Sequence, residues 1–326
     1  MKSPITGEEM VLTMEKRLLT YRKTPVEIVY HSYRCPTSGE QFTTDKMEEL
    51  NLQQVHNKYR SFHGLPFPEE VQEARVRYGL SAARMSEVLG FGVNSYRNYE
   101  SGEMPSLSNG KMIQMSKNPE GFKQLIQLAP LSVKVKERVI KKITELAPPS
   151  IEELLFNCDG LNEYNGYSKP SLIKLGNAVA FFAEKAKHLF KTKLNKLLFY
   201  ADFMSFRDTG RSITGLTYVA IDLGPVPDSF NSLFGRIAEN GFVSLETVWF
   251  PQGASGERIS PSKNHDFNEA LFTEKELAVL KAVAAKFGKT TGKEMVEISH
   301  RESAWLENQK EKSVISYDYG FGLSQI

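Results

Sequence analysis

The sequence predicts a multidomain α+β protein that is mostly helical. Near the N-terminus, two strand-like segments are flanked by similar turns, "SPITGEE" at residues 3–9 and "CPTSGEQ" at residues 35–41. Short helical segments separated by Gly, Ser or Pro follow at residues 68–118. Beyond about residue 150, helical patterns alternate with short strand patterns. We therefore expect a small β-hairpin domain, an all-α domain and a C-terminal α+β domain.

The composition bounds the class of protein. A chain of 326 residues with 40% hydrophobic and 25% charged residues can form two or three globular domains. Its apolar runs are shorter than the roughly 20 residues of a membrane span, and an apolar signal core is not evident at the N-terminus. The two cysteines, Cys35 and Cys158, lie too far apart in sequence to indicate a disulfide framework. We expect a cytoplasmic protein without a membrane partner.

Charge alone does not identify a partner. Residues 1–150 carry 21 Lys and Arg against 17 Asp and Glu, and residues 151–326 carry 20 against 22. The mildly basic first half is compatible with nucleic-acid binding but does not argue for it, because dedicated binders are usually more basic.

The first predicted domain, residues 1–62, is a degenerate zinc-ribbon-like hairpin. "MVLTMEKRLLTYRK" and "PVEIVYHSYR" are predicted to be its strands, and residues 43–62 a helix. The four positions where a ribbon of two C-x-x-C pairs would bind zinc are occupied by Ser3, Thr6, Cys35 and Ser38. Hydroxyls are poor zinc ligands, and one thiolate cannot supply the binding energy of a structural site. We expect no metal and no cofactor, with the Pro and Gly of each turn setting its backbone. His31 is interpreted as a surface residue; the alternative is a cysteine–histidine site with Cys35.

The second predicted domain, residues 63–128, has the sequence features of a helix-turn-helix. Ser81 is a good N-cap for a helix whose inward stripe is Ala82, Met85 and Leu89, and "GFG" gives the turn into the next helix, about residues 93–100. On that helix Val93 and Tyr96 lie at core spacing. The exposed face is predicted to carry Asn94, Ser95, Arg97 and Asn98.

These four residues predict DNA binding in the major groove, where Asn pairs with adenine and Arg with guanine or phosphate. The competing interpretation is a helix-turn-helix used for protein contact. Residues 66–128 carry seven basic and seven acidic side chains, so one copy should bind weakly. We therefore expect a homodimer on two half-sites of operator DNA.

A predicted linker helix spans residues 129–149. Its "VKVKERVIKKI" is amphipathic and basic, which indicates either a solvated face or a contact with flanking DNA. Pro148 and Pro149 end it, and a capping box at Ser150 to Glu153 begins the third domain, residues 150–326. There the patterns predict helices at about 170–187, 193–207, 228–240, 274–287 and 291–308, and strands near 215–222 and 242–250.

The first 128 residues resemble the MqsA (YgiT-type) antitoxins. The likeness rests on the two turns and on "VRYGLSAARMSEVLGFGVNSYRNYESGEMPS". It implies an N-terminal zinc domain that meets a toxin and a helix-turn-helix that dimerises on operator DNA. In that family an Asn and an Arg four residues later read DNA; Asn94 matches the first, whereas Asn98 holds the second position with Arg97 beside it. Operator sequence, zinc and toxin binding by this half therefore do not carry over.

The third domain resembles the Panacea (SocA-like) domain of antitoxins. Three stretches match in order: "KLNKLLFYADF" at 193–203, "GPVPDSFNSLF" at 224–234 and "ISHRESAW" at 298–305. The resemblance implies neutralisation of a protein toxin, in one branch by delivery to a protease, and no catalysis. The toxin-binding positions that it suggests are Lys196, Tyr200, Asp202, Pro225, Val226 and Trp305.

The leading hypothesis is an antitoxin of a type II toxin–antitoxin pair that binds its toxin through the third domain and represses its own operon through the helix-turn-helix. The alternative is a stand-alone transcription regulator whose C-terminal domain senses a signal or partner. An enzyme is the third hypothesis, because His300 and Glu302 could join Tyr200 and Asp202 in acid–base chemistry. No phosphate loop or H-E-x-x-H pair supports it.

Overall fold

The computed structural model describes residues 1–145, 156, 160–251 and 253–326. It confirms a mixed, mostly helical chain with an antiparallel β-hairpin near its N-terminus. None of the described helices has the length and apolar composition of a bilayer-spanning segment. The predicted capping box at Ser150 to Glu153 and Cys158 lie outside the described residues.

The N-terminal sheet is built on one long hairpin. Strands β1 (Val11–Tyr21) and β2 (Thr24–Arg34) are joined by Arg22 and Lys23, whose φ angles of 45° and 68° are those of a type I′ turn. The short strand β3 (Gln41–Phe42) pairs antiparallel with the end of β2, so the strand order is β1-β2-β3.

Helix α1 (Asp45–His63) covers the edge of β2 that β3 leaves open. The Asn51 amide accepts a hydrogen bond from the His31 N–H (2.9 Å) and donates one to the His31 carbonyl (3.0 Å). Gln54 makes the same pair of bonds with Val29, at 3.0 and 2.9 Å. The two side-chain amides thus take the place of a neighbouring strand, and the buried backbone groups of β2 are satisfied.

A group of helices follows α1. Their bounds are α2 Pro68–Tyr78, α3 Ala82–Leu89, α4 Ser95–Glu100, α5 Leu107–Lys117, α6 Pro119–Leu128 and α7 Val133–Thr144. They enclose a common apolar core that includes Met85, Tyr96 and Phe122. The basic helix α7 belongs to this core, because it buries Val139 and Ile143 while its lysines face outward.

The C-terminal elements surround one buried helix. Their bounds are α8 Leu172–Lys185, α9 Lys191–Thr209, β4 Tyr218–Ile221, β5 Gly224–Pro227, α10 Phe230–Glu239, β6 Val243–Trp249, β7 Ser255–Pro261, α11 Glu274–Phe287, α12 Gly292–Ser299, α13 Ser303–Leu306 and β8 Val314–Ile315. Helix α9 is buried almost throughout, which confirms the predicted core stripe of Leu194, Leu197, Leu198 and Ala201. Two sheets flank it, with strand orders β5-β4-β8 and β6-β7.

The single helix predicted at residues 291–308 is wrong, because the chain breaks between α12 and α13. His300 ends the first helix, and Glu302 is the N-cap of the second. The Glu302 carboxylate turns inward and accepts hydrogen bonds from the backbone N–H groups of Ser324 (3.0 Å) and Gln325 (3.2 Å). A continuous helix would point this side chain elsewhere.

Contacts divide the chain into two compact units. One comprises Met1–Arg17, Glu27–Gln54 and Glu152–Ile326; the other comprises Leu18–Val26 and Val55–Ile151. The contact units therefore differ from the predicted sequence segments: the first part of α1 and most of the hairpin group with the C-terminal elements, and α7 groups with the preceding helices. The predicted domain boundaries stay a prediction about sequence modules.

Replacing Asn51 tests the amide pairing. Asn51→Leu removes both hydrogen bonds to His31 and leaves its buried N–H and carbonyl without partners, so the free energy of unfolding should fall by roughly 2–4 kcal/mol. Leu52→Ala on the exposed side of α1 is the control and should change it by less than about 0.5 kcal/mol. Urea denaturation measures both, and equal effects of the two substitutions would contradict this account of β2.

Candidate functional site

The two N-terminal turns bring the four predicted ligand positions together through hydrogen bonds. Thr6 Oγ1 lies 3.2 Å from Cys35 Sγ, and Ser3 Oγ accepts hydrogen bonds from the N–H groups of Ile5 (3.3 Å) and Thr6 (3.2 Å). Hydrogen bonds from Ser38 first, and then from Thr6, lower the pKa of the buried Cys35 thiol to about 6. Hydroxyl groups and one thiol thus link the two turns through hydrogen bonds.

His31 is not a surface residue, contrary to the sequence interpretation. It is 6% exposed, its backbone is bonded to Asn51, and its ring packs edge-on against Phe321 with the centroids 4.8 Å apart. Burial lowers the pKa of the imidazole. Within the described residues, no group of three His, Cys, Asp or Glu side chains could hold a metal ion.

Helices α3 and α4 correspond to the predicted helix-turn-helix pair. Ser81 caps α3 by accepting a hydrogen bond from the Arg84 N–H (3.2 Å), as predicted, and Gly90 ends the helix with a left-handed φ of 71°. Tyr96 fixes α4, because its buried hydroxyl donates to the Val71 carbonyl (2.7 Å) and its N–H donates to Ser86 Oγ (3.2 Å). The short α4 is therefore held at a defined angle on the core.

The outer surface of α4 is polar. Asn94, Arg97 and Asn98 are exposed and Ser95 is half-buried. Asn94 is the N-cap, yet its side chain makes no capping hydrogen bond, so its amide is available for other contacts. The prediction that Val93 lies in the core is wrong: it is 78% exposed, because α4 begins at Ser95 and Val93 belongs to the turn before it.

All six predicted toxin-binding positions lie inside the C-terminal fold. All six side chains are buried: Lys196, Tyr200, Asp202, Pro225, Val226 and Trp305. They can therefore contribute to a partner surface only indirectly, by holding surface elements in place. The structure divides them among two buried clusters, strand β5 and helix α13.

Asp202 forms the first cluster. Its carboxylate accepts hydrogen bonds from the N–H groups of Ile213 (2.9 Å) and Thr214 (2.8 Å), from the Thr214 hydroxyl and from the Tyr218 hydroxyl (2.7 Å). Complete burial raises the pKa of Asp202, and these hydrogen bonds oppose the rise. The carboxylate fastens the loop that leads into β4 to the centre of α9. It does not join His300 and Glu302, as the enzymatic hypothesis requires.

Lys196 and Tyr200 form the second cluster, one turn apart on α9. Lys196 lies against β5 and α12: a Cβ added to Gly224 would be 3.2 Å from Lys196 Nζ and 2.6 Å from Ser299 Oγ. Lys196 Nζ is buried and has no hydrogen-bond partner among the described residues. Burial lowers the pKa of Lys196 to about 7. Burial and the nearby Glu302 raise the pKa of Tyr200.

Two exposed leucines are next in sequence to the buried residues Gly224 and Trp305. The Trp305 indole N–H donates to the Ile221 carbonyl (2.8 Å), which fixes the start of α13 to the end of β4. The His300 ring stacks on Trp305 with centroids 3.6 Å apart. Leu223, in the turn between β4 and β5, is 55% exposed, and Leu306, the last residue of α13, is 49% exposed. We call Leu223 and Leu306, with the Asp222–Lys312 ion pair (3.2 Å) beside them, the leucine face.

In this arrangement, buried polar groups position the surface elements of the C-terminal fold. In a comparison with known families, residues 194–306 match the family described as "Antitoxin SocA-like, Panacea domain". The match covers about a third of the chain and includes both buried clusters, Leu223 and Leu306. Searches of curated proteins and of solved structures gave no match. The C-terminal part of the chain is thus similar to the Panacea domain of antitoxins.

Replacing Lys196 gives a pH-dependent test of the second cluster. The folded chain releases the Lys196 proton near pH 7, whereas the unfolded chain keeps it to about pH 10.5, so the unfolded state binds more protons between these values. The wild-type free energy of unfolding should therefore increase as pH rises from 7 to 10. Lys196→Met should remove that increase and stabilise the protein at pH 7 by about 1–3 kcal/mol.

The control is Lys193→Met, on the same helix. Lys193 is also buried, but its ammonium donates to the carbonyls of Lys187 (2.9 Å) and Gly288 (2.8 Å). Its replacement should destabilise the fold, because two carbonyls, one of them buried, lose their donor. Urea midpoints at pH 7 and pH 9 distinguish the variants; destabilisation by Lys196→Met at pH 7 would contradict a partnerless Lys196.

Proposed function

We propose that this protein is the antitoxin of a type II toxin–antitoxin pair and that its C-terminal domain neutralises a protein toxin by direct binding. The observation that carries the proposal is the match of residues 194–306 to the SocA-like Panacea domain. The degenerate N-terminal turns support it, since toxin binding by the C-terminal domain leaves the ribbon without the task that it has in MqsA-type antitoxins. We assign no reaction, and we propose a cytoplasmic location.

The leucine face is the proposed toxin contact. The predicted positions Lys196, Tyr200 and Trp305 are buried. Lys196 lies against β5, the Trp305 indole fixes α13 to the end of β4, and Asp202 fixes the loop before β4. Pro225 and Val226 lie on β5, which pairs with β4 along its whole length. An exposed leucine pair with one ion pair at its side suits a partner with an apolar anchor and a polar rim.

The second part of the proposal is autorepression. The helix pair α3 and α4 supports DNA binding, because Asn94, Arg97 and Asn98 project from a short helix fixed by the buried Tyr96. Ser95 lies at its N-terminus, where a hydroxyl can bond a phosphate. The resemblance to MqsA-type antitoxins also favours this role. A regulator without a toxin remains the alternative, with the same α4 and a C-terminal domain that senses another partner.

Co-expression tests toxin neutralisation. The adjacent reading frame, expressed alone in a bacterial host, should stop growth, and the full-length protein should restore it. Leu223→Lys combined with Leu306→Lys should abolish the rescue, because two charges would be buried against the toxin. Ile173→Lys, an equally exposed position on α8, should still rescue growth. A harmless neighbour would reject the antitoxin and leave the regulator; rescue by the double variant would reject the leucine face alone.

Replacing Arg97 tests the DNA-binding part separately. Arg97→Ala should weaken binding to the protein's own promoter by roughly 1–3 kcal/mol if Arg97 contacts a base, and should lower the salt dependence by about one charge if it contacts a phosphate. Arg301→Ala removes the same charge from an exposed site in the C-terminal domain and should change neither. Equal losses in the two variants, measured by fluorescence anisotropy at several salt concentrations, would contradict a specific role for α4.

A further inference from the structure

Strand β1 forms an open edge of the N-terminal sheet. It is eleven residues long, and among the strands that the structure describes it pairs with β2 alone, in the order β1-β2-β3. Alternate side chains along it are exposed: Leu12 by 48%, Met14 by 47% and Leu18 by 67%, with Lys16 between them. A long edge strand with exposed apolar residues is a template for pairing with another strand.

The hairpin turn determines which backbone groups face outward. Because the turn has two residues, Tyr21 lies opposite Thr24, and counting back places Thr13 opposite Ser32. The Thr13 hydroxyl is 2.9 Å from the Ser32 hydroxyl and 3.0 Å from the Ser32 carbonyl, which agrees with this register. Residues opposite each other alternate between bonded and non-bonded pairs. The odd-numbered residues of β1 therefore bond to β2, and the even-numbered ones present their N–H and carbonyl groups to the open edge.

We propose that β1 pairs antiparallel with β1 of a second copy of this chain, in the register that places Lys16 on the two-fold axis. This register pairs all eleven residues of the strand with their partners. Two-fold symmetry keeps each face of the sheet on the same side. Even-numbered residues can therefore pair only with even-numbered residues, and odd-numbered residues only with odd-numbered ones. The outward backbone groups of Leu12, Met14, Lys16, Leu18 and Thr20 then meet those of the same residues.

Side-chain complementarity selects this register from the two neighbouring ones. It places Met14 opposite Leu18 and Glu15 opposite Arg17, each twice, and opposite charges on facing strands stabilise a sheet. If the two-fold axis moves by one residue toward the start of β1, Glu15 lies opposite Glu15. If it moves by one residue the other way, Arg17 lies opposite Arg17. Lys16 of one copy faces Lys16 of the other in this register. Each ammonium lies 3.5 Å from the Glu27 carboxylate of its own chain, which offsets the repulsion between the two lysines.

Cross-linking of the full chain tests the register. In Lys16→Cys, the two thiols would sit on residues with Cα atoms about 5.5 Å apart, within reach of a short bismaleimide, and a covalent dimer should form. In Thr20→Cys, on the same open edge, the two thiols would be about 27 Å apart and should not be joined. The wild type is the control for the native cysteines. Equal cross-linking of the two variants would overturn the register.

Sedimentation velocity of the full chain tests the pairing itself. The wild type should show a concentration-dependent dimer, and Met14→Pro should weaken association about tenfold, because it removes one outward N–H from each copy. The hairpin should persist in this variant, since that N–H does not bond to β2; an unchanged circular dichroism spectrum is the check. A wild type that stays monomeric, or a proline variant that dimerises equally, would overturn the proposal.

The pairing stands apart from toxin neutralisation. The pairing would supply the dimer that the proposed operator binding needs. Only this connection to operator binding rests on the proposed function. Failure of the cross-link with intact promoter binding would reject the strand pairing, whereas a cross-linked dimer that binds no promoter DNA would reject the DNA-binding role.

Discussion

The C-terminal fold depends on a carboxylate in the middle of its central helix. Asp202 is fully enclosed, and each of its oxygens accepts hydrogen bonds from the chain segment that leads into β4. Burying an ion is costly unless every lone pair is used, and here backbone and hydroxyl donors use them. The position of β4 follows from that network, and with it the β4–β5 turn and the contact of Ile221 with Trp305. The surface of the domain is therefore determined from its interior.

Local sequence patterns predicted a helix or a strand well where the residues of that element alone determine its structure. The hairpin strands, α1, the Ser81 cap and the buried stripe of α9 follow from periodicity and capping residues. The same reasoning failed at Val93 because it assumed helical spacing for a residue that precedes the helix. It failed at residues 291–308 because the break depends on Glu302 reaching the distant Ser324, which no local pattern reveals.

The candidate site was less predictable than the fold. Family resemblance indicated the right segments, but its motif residues are buried, and the exposed Leu223 and Leu306 carry no pattern of their own. His31 was misread for a related reason: its burial depends on Asn51 and Phe321, which are distant in sequence. A buried polar residue is defined by partners, and partners become visible only when the chain is folded. Asn94, Arg97 and Asn98 were predictable as exposed because one short helix orients all three.

The side-chain amides of Asn51 and Gln54 have a consequence for stoichiometry. They close the edge of β2 beside β3 with groups that belong to the same chain, so in the described part of the N-terminal sheet β1 is the long open edge and the two-residue β3 is the other edge strand. A sheet with two open edges adds strands without limit and forms fibres, whereas a sheet with one open edge is complete after a single addition. In the proposed pairing of β1 strands, the two amides on α1 would therefore favour a dimer over a fibre.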